Sequence, residues 1–329
     1  MPGSRIAFAL ACLLLSPSPG IAGDRELVVY HSWDDIVADV VLDAFSRETG
    51  IRVQGMRRSS RHLVKLIEAE RDHPRASAIM GGSAPSYVML DRAGLLEAYL
   101  PAGAEAIPES FRDPDGCWTG FYIGVVAFGT DSRTNDSAPQ SYAELLDRPW
   151  RGGVVYANPA TSGTAYSFLL GLVATRGEDG AFDYLSALHP RVLEYPSGGA
   201  MAVRLVELQE AGVAVSFAHD IVRGQRAGEP LVLSFPAEGA GWEIGACGLL
   251  AGAPWPEAAR RFLDFLVRPE TQERIGRVFP AYPTHPQARV PDGVPPLGAL
   301  KRAPIDIQTA GQRWDERARR WNRLLPRSR

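Results

Sequence analysis

The chain has 329 residues and a formal charge of −3, and 45% of its residues are hydrophobic. This length allows one large domain or two medium ones. The charges are spread along the chain rather than gathered on one basic face, which excludes the electrostatic signature of a nucleic-acid-binding protein.

The first 22 residues have the pattern of a secretory signal peptide. Arg5 precedes an apolar run, Ile6 to Leu15, that is too short to span a membrane. Gly20 and Ala22 are the small residues that predict cleavage after Ala22. Cys12 lies inside the apolar run, which favours soluble export over a lipoprotein. Removal of Arg5, the only charged residue in this segment, takes the charge from −3 to −4.

The first third of the mature chain alternates strand and helix signals, typical of a parallel sheet covered by helices. The predicted strands are Leu27–Tyr30, Ile51–Val53 and Ala78–Met80, and the predicted helices lie around 36–45, 63–67 and 87–93.

The later part of the chain contains long apolar strands and further helices. The strand signals are Trp118–Phe128, Val154–Ala157, Gly212–Phe217 and Trp242–Leu250, and the helix signals are Tyr142–Leu146 and Pro256–Val267. The Arg-rich C-terminal segment has an apolar face with Trp314 and Trp321, which predicts a docked amphipathic helix. The pattern favours two α/β lobes joined by long strands.

A loop rich in hydroxyl groups, Asn158 to Tyr166, connects a predicted strand to a predicted helix. The first backbone N–H groups of a helix have no partner inside it, and the helix dipole is positive there. The loop therefore suits an anion. An ordinary N-cap explains the same residues equally well, and the loop alone does not decide between these two interpretations.

Polar loops of small residues follow successive predicted strands at their carboxyl ends. In open parallel sheets ligands bind at this edge, so we expect the loops to converge on one cleft. The loops are His31-Ser32, Ser59-Ser60, Gly82-Ser83, Thr161 to Thr164, and His219-Asp220.

A series of collinear motifs resembles one known family. The sequence resembles the periplasmic solute-binding proteins of ABC importers with the type II fold, in the branch of ferric-ion, 2-aminoethylphosphonate and sugar-phosphate binders. The motifs include Gly81-Gly82-Ser83, Leu95 to Tyr99, Trp118 to Tyr122, Ser141 to Leu146, Asn158 to Tyr166, Ser197 to Ala200, Val215 to Asp220, Glu238 to Gly245 and Pro256 to Phe262.

The resemblance implies a two-lobed α/β fold with a two-strand hinge that closes on a ligand. Trp118–Phe128 and Trp242–Leu250 would be the crossing strands. Lobe 1 would contain residues 24–125 and about 247–285, and lobe 2 residues 126–246 and about 286–329. Cys117 and Cys247 would lie at the hinge, either as a disulfide or as two buried thiols.

The resemblance also bears on the ligand. Ferric-ion binders of this family carry adjacent tyrosines near the segment that is Ser216 to Asp220 here, and this chain has no Tyr-Tyr pair. Fe³⁺ favours anionic oxygen ligands, so iron is disfavoured, although His219, Asp220 and Glu238 remain candidates for a softer metal.

The organophosphate branch fits the remaining loops better. Its implied contacts are hydroxyl and backbone donors for an anion, with His219 donating more strongly if protonated, and carboxylates for sugar hydroxyls or an ammonium group. The donor candidates are Ser32, Ser60, Ser83, Ser162, Gly163, Thr164, Ser197 and Gly198, and the carboxylate candidates are Asp220, Glu238 and Glu243. A structural role is the alternative for each. Ser59 and Ser60 are candidate caps of one helix, Asp220 is the candidate N-cap of the helix starting at Ile221, and His219 is a candidate buried structural histidine.

These observations predict a monomeric periplasmic protein without a cofactor that delivers a phosphorylated or phosphonate solute to an ABC permease. A ferric-ion or metal carrier and a ligand sensor for a histidine kinase are the alternatives. An enzyme is not expected, because the chain has no Gly-x-Ser-x-Gly and no His-Glu-x-x-His motif. The adjacent His219 and Asp220 point in different directions on a regular backbone, so they do not form a triad with Ser162.

Overall fold

The computed structural model describes residues 26–324, so the predicted signal peptide and its cleavage site lie outside the described residues. The strands are β1 (Leu27–His31), β2 (Val53–Arg57), β3 (Ala78–Ser83), β4 (Leu96–Glu97), β5 (Thr119–Asp131), β6 (Val154–Tyr156), β7 (Val213–Phe217), β8 (Leu231–Ser234), β9 (Trp242–Leu250) and β10 (Tyr282–Pro283). Every strand predicted from the sequence is present, with β2 shifted toward the C-terminus.

The helices cover both faces of these strands. They are α1 (Asp35–Thr49), α2 (Ser60–Ala69), α3 (Ala84–Arg92), α4 (Tyr142–Asp147), α5 (Gly163–Leu188, interrupted at Gly177), α6 (Gly199–Glu207), α7 (Ala218–Arg226), α8 (Pro256–Val267), α9 (Pro269–Val278) and α10 (Ile307–Leu324). None of the helices in residues 26–324 is both long and apolar enough to cross a membrane.

The strands run in the order β2-β1-β3-β9-β5-β7-β6. Strands β1, β2 and β3 are parallel, as the alternation of elements predicts, and β9 joins them antiparallel. At the other end β6 and β7 are parallel to each other. The sheet is thus mixed, with a group of parallel strands at each of its two ends.

Strand β5 belongs to both ends of this sheet. Its first half, Thr119–Val125, pairs with β9, and its second half, Val126–Thr130, pairs with β7. Separate apolar clusters fill the two ends: Phe45, Phe262 and their neighbours lie beneath β1 and β3, whereas Phe168 and Tyr184 lie beneath β6 and β7. Two cores connected by a shared strand suit a rotation about that strand.

Cys117 and Cys247 are both buried free thiols. Cys247 pairs in register with Thr119 and its thiol donates to the Thr119 carbonyl oxygen at 3.4 Å. Of the two alternatives left open by the sequence, the structure contains the unbridged one.

The C-terminal helix α10 is docked, as predicted. Trp314 and Trp321 are fully buried on its apolar face. Its basic residues are not all on the solvated side, because Arg317 is 4% exposed and pairs with Glu178.

Candidate functional site

A cavity of about 600 Å³ lies where the two ends of the sheet face each other. The loops after β1 and β2, together with Gly82 near the end of β3, form one wall, and the first turns of α5, α6 and α7 form the other. Tyr122 of β5 and Glu243 of β9 also line the cavity, together with Phe279. The expected convergence of polar loops is therefore present in the structure.

The first wall brings hydroxyl groups together around a glycine. Gly82 has a φ of +76°, and a Cβ at this position would lie 2.9 Å from Ser60 Oγ and 3.0 Å from Ser32 Oγ. Only glycine adopts such a backbone without strain and leaves this space open. Ser59 caps nothing on the backbone and instead bonds His62 Nδ1 through its hydroxyl, at 2.9 Å.

The second wall begins with the hydroxyl-rich loop. Ser162 is the N-cap of α5, and its hydroxyl accepts a hydrogen bond from the Ala165 N–H. The cap interpretation is thus confirmed for Ser162. Gly163 and Thr164 follow in the first turn, where backbone N–H groups have no helical partner, and both line the cavity. The two interpretations of this loop are compatible.

The first turns of α5 and α6 lie side by side. Gly198 is the N-cap residue of α6, with no side-chain hydrogen bond capping this end. A Cβ at Gly199 would lie 2.6 Å from Ser216 Oγ and 3.0 Å from Thr164 Oγ1. Two positive helix ends therefore face the same part of the cavity, close to Ser197.

His219 lies in the first turn of α7 and is 3% exposed. Its ring lies against Phe279, with ring centroids 4.0 Å apart. Burial, reinforced by the Arg223 charge, holds the pKa of His219 well below its usual value. The His219 ring is therefore neutral at pH 7, and it offers one N–H donor and one acceptor.

Asp220 is not the N-cap of a helix, because α7 begins two residues earlier. Its carboxylate accepts a hydrogen bond from Ser216 Oγ at 2.8 Å and lies 3.6 Å from Arg223. Burial raises the pKa of Asp220 to about 6, with Arg223 and Ser216 acting in the opposite direction. The group is mostly ionised at neutral pH.

Glu243 projects from the crossing strand β9 into the floor of the cavity. Tyr122 Oη donates to its Oε1 at 3.2 Å, and its Oε2 is buried with no partner among the described residues. Burial raises the pKa of Glu243 to about 8, so this carboxyl is mostly neutral at pH 7. Ser83 is close by: a Cβ at Gly163 would lie 3.1 Å from its Oγ and 3.3 Å from Glu243 Oε2.

Four arginines line the cavity, and sequence reasoning missed all of them: Arg57, Arg58, Arg204 and Arg223. A signal was available for three of these positions. Arg57 and Arg58 directly precede the Ser59-Ser60 loop, and Arg223 follows His219 by one helical turn. The missing information was which helix faces point into the cavity.

The lining has an excess of positive charge. Its four guanidinium groups face two ionised carboxylates, Asp34 and Asp220, since Glu243 is largely neutral at pH 7. The lining therefore carries a surplus of two positive charges, partly offset from outside by Glu207, which pairs with Arg204 at 2.9 Å.

Glu238 does not line the cavity. Its carboxylate accepts hydrogen bonds from the Tyr142 N–H at 3.0 and 3.1 Å, at the N-terminus of α4, and pairs with Arg176. A softer metal site made of His219, Asp220 and Glu238 is thus not assembled. Within residues 26–324, the side chains that meet the spacing for a metal ion are Asp91, Asp113 and Cys117, which do not line the cavity.

The family model for bacterial extracellular solute-binding proteins matches residues 80–307. This is well over half of the chain. The chain belongs to this family. Its relatives include periplasmic proteins named for ferric iron and for 2-aminoethylphosphonate.

Similarity to individual relatives extends over most of the chain. An uncharacterized protein of Haemophilus influenzae is 31% identical over 286 residues, covering 83% of each chain. Iron uptake protein A2 of Synechocystis is 25% identical over 334 residues, covering 96% of this chain and 95% of the relative.

A solved structure resembles this fold closely. The periplasmic binding protein AfuA from Actinobacillus pleuropneumoniae, solved with exogenous fructose-6-phosphate bound, has a TM-score of 0.86 at 29% identity. The match covers 91% of this chain and 97% of AfuA. The protein is thus a two-lobed substrate-binding protein of the ABC importer family with the type II fold, as the sequence resemblance implies, and members of this family bind solutes rather than catalyse reactions.

Proposed function

We propose that this protein captures a small phosphorylated or phosphonate solute between its lobes and presents it to an ABC permease in the inner membrane. The solute classes are a sugar phosphate, a phosphoglycerate or an aminoalkylphosphonate. The protein acts as a monomer in the periplasm after cleavage following Ala22.

The surplus of two positive charges in the cavity lining carries this proposal. A phosphate monoester bears about −1.5 to −2 charges at pH 7, so it neutralises the cavity without a cation. A neutral sugar would leave this excess of positive charge in the lining without a counter-charge from the ligand.

The helix ends suggest the position of the anion. The first turns of α5 and α6 adjoin near Thr164 and Gly199, and neither offers a carboxylate. Backbone N–H groups of this kind bind phosphate at other helix N-termini. We therefore place the phosphate here, with its organic part toward His219, Asp220 and Glu243.

The lobe boundaries predicted from the sequence form part of the proposal. Lobe 1 is the body built on β1, β2 and β3, and lobe 2 is the body built on β6 and β7. The change of partner along β5, between Val125 and Val126, supports a hinge at this point.

Iron is the second candidate, because iron uptake protein A2 is among the relatives. The cavity lining is poor in the anionic oxygen ligands that Fe³⁺ prefers. Tyr122 is its single tyrosine, and burial together with the neighbouring Glu243 raises the pKa of Tyr122 well above its usual value. Asp34 is occupied by Arg57 and Arg223.

Thermal unfolding in the presence of ligands tests the proposal, because a ligand that binds only the folded protein raises the melting temperature. The panel contains fructose-6-phosphate, 3-phosphoglycerate, 2-aminoethylphosphonate, unphosphorylated fructose and ferric citrate. We expect at least one phosphorylated or phosphonate compound to stabilise the protein and fructose to have no effect. Stabilisation by ferric citrate alone would establish the iron alternative, and equal stabilisation by fructose and its phosphate would refute an anion site.

A further inference from the structure

The C-terminal helix α10 packs against both lobes. Its contacts with lobe 2 include Tyr156 and Tyr166, and its contacts with lobe 1 include α3 and Arg61 of α2. Every hinge motion that separates the lobes must therefore break one of the two sets of contacts.

The contacts with lobe 2 are extensive. The rings of Trp314 and Tyr166 are stacked with centroids 4.1 Å apart, and Trp314 Nε1 donates to the Pro159 carbonyl oxygen at 3.2 Å. Buried Arg317 pairs with Glu178 at 2.8 Å and donates to Tyr166 Oη at 3.1 Å. These buried contacts hold the apolar face of α10 against lobe 2.

The contacts with lobe 1 are made mainly with α3 and include a close approach at a glycine. A Cβ at Gly311 would lie 2.6 Å from Val88 Cβ and 2.8 Å from the Pro85 carbonyl oxygen, so α10 and α3 approach at their backbones. Asp315, one turn further, forms an ion pair with Arg61, whose side chain is 7% exposed.

This interface lies on the cleft side of the molecule. Arg61 directly follows Ser60, which lines the cavity, and the Arg61 N–H donates to the Thr161 carbonyl oxygen of the opposite wall at 3.4 Å. Opening the cleft would separate Arg61 from Thr161. An α10 held by its aromatic contacts with lobe 2 would then lose its contacts at Gly311 and Asp315.

We propose that α10 is a clasp: anchored in lobe 2, it binds lobe 1 through Gly311 and Asp315 and keeps the ligand-free cleft largely closed. This inference goes beyond the proposed function and does not depend on which ligand binds. A closed ligand-free state lowers the cost of closure on binding.

Spin labels report the closure directly. The labels are attached to cysteines introduced at Ile36 in lobe 1 and Leu208 in lobe 2, which are 80% and 49% exposed. The distance between the labels is measured by double electron–electron resonance without ligand. We expect the short-distance population to dominate. A ligand-free protein that is mostly open would overturn the proposal.

Gly311→Leu places a bulky side chain between α10 and α3. Leu is a better helix former than Gly, so α10 itself is not weakened, whereas the contact with Val88 is sterically blocked. We expect the ratio of closed to open protein to fall about tenfold or more. The control is Gly298→Leu, because a Cβ at Gly298 meets nothing within 4 Å. An unchanged distance distribution in Gly311→Leu would refute the clasp.

A pair of neighbouring substitutions provides an independent test if Gly311→Leu does not fold. Asp315→Ala removes the ion pair with Arg61 of lobe 1, whereas Glu316→Ala removes a pair with Arg313 within α10. We expect the closed-to-open ratio to fall about twofold to fivefold in Asp315→Ala and to stay constant in Glu316→Ala. Equal distributions in both variants would contradict the proposal.

Discussion

Arg223 reaches across the cavity to Asp34, and both of its terminal nitrogens lie 3.2 Å from Asp34 Oδ2. Arg223 belongs to α7 of lobe 2, whereas Asp34 precedes α1 of lobe 1. Asp34 also accepts from Arg57 of its own lobe. One carboxylate thus holds two of the four cavity arginines and links the two walls of the cavity.

Replacing Arg223 should weaken anion binding. Arg223→Ala removes a cavity charge and the pair with Asp34, so we expect the dissociation constant of the stabilising phosphorylated ligand to rise roughly tenfold or more, measured by isothermal titration calorimetry. Arg47→Ala is the control, since this side chain is 81% exposed and pairs with Asp43 of the same helix, away from the cavity. Equal affinities of both variants for the ligand would show that Arg223 does not contribute to binding.

The hydroxyl of Thr164 should contribute to affinity and not to stability. Thr164→Val keeps the shape of the side chain and deletes its donor at the meeting point of α5 and α6. We expect about a fivefold to tenfold weaker affinity for the phosphorylated ligand. The melting temperature of the ligand-free protein should stay within a few degrees of the native value.

Thr175→Val is the matched control in the same helix. The Thr175 hydroxyl bonds the Gly171 carbonyl oxygen inside α5, away from the cavity. The Thr175→Val variant should bind the phosphorylated ligand with the same affinity as the native protein. If Thr164→Val also binds normally, the loop serves only as a helix cap.

Glu243 should make stability depend on pH. Its pKa is about 8 in the folded protein against an ordinary value of 4.5, so the folded state retains a proton that the unfolded state has lost. Stability from this group is present below about pH 4.5 and is lost as the pH rises toward 8, by up to about 4 to 5 kcal/mol.

Glu243→Gln removes this titration while keeping the shape of the side chain. Chemical denaturation of both proteins between pH 5 and 8.5 measures the effect. We expect the native protein to lose stability relative to the variant across this range (roughly the interval between the two pKa values). Parallel curves would show that Glu243 is ionised in the folded state.

The thiols Cys117 and Cys247 should react only after unfolding. Burial raises the pKa of Cys117 to about 12 and that of Cys247 still higher, and the thiolate is the reactive form. We expect a disulfide reagent to react with no thiol of the mature protein under native conditions and with two thiols in denaturant. An increase of two daltons in intact mass upon reduction would instead reveal a disulfide.

Local sequence patterns were sufficient for the order of elements. The periodicity of α8 and the apolar runs of β5 and β9 depend on neighbouring residues, which the sequence shows directly. The polar loops followed from the same logic, because a parallel strand ends where its ligand-binding loop begins. Most of the donor candidates therefore line one cavity.

Glu238 shows where such reasoning failed. It lies in a motif shared with the family, yet its carboxylate caps α4, a contact that spans 96 residues of sequence. No periodicity encodes which distant helix end a loop carboxylate will meet. The four cavity arginines were missed for a related reason, since an exposed arginine on a surface helix and one facing a cleft look the same in sequence.

The sequence by itself determined the two-lobed α/β architecture and the positions of the hydroxyl-bearing loops, because both follow from interactions between residues close in the chain. Only the tertiary structure decided the charge states of His219 and Glu243, the convergence of arginines from both lobes, and the contact of Gly311 with α3. Desolvation and packing across the cleft set these properties, and both depend on how distant segments approach each other.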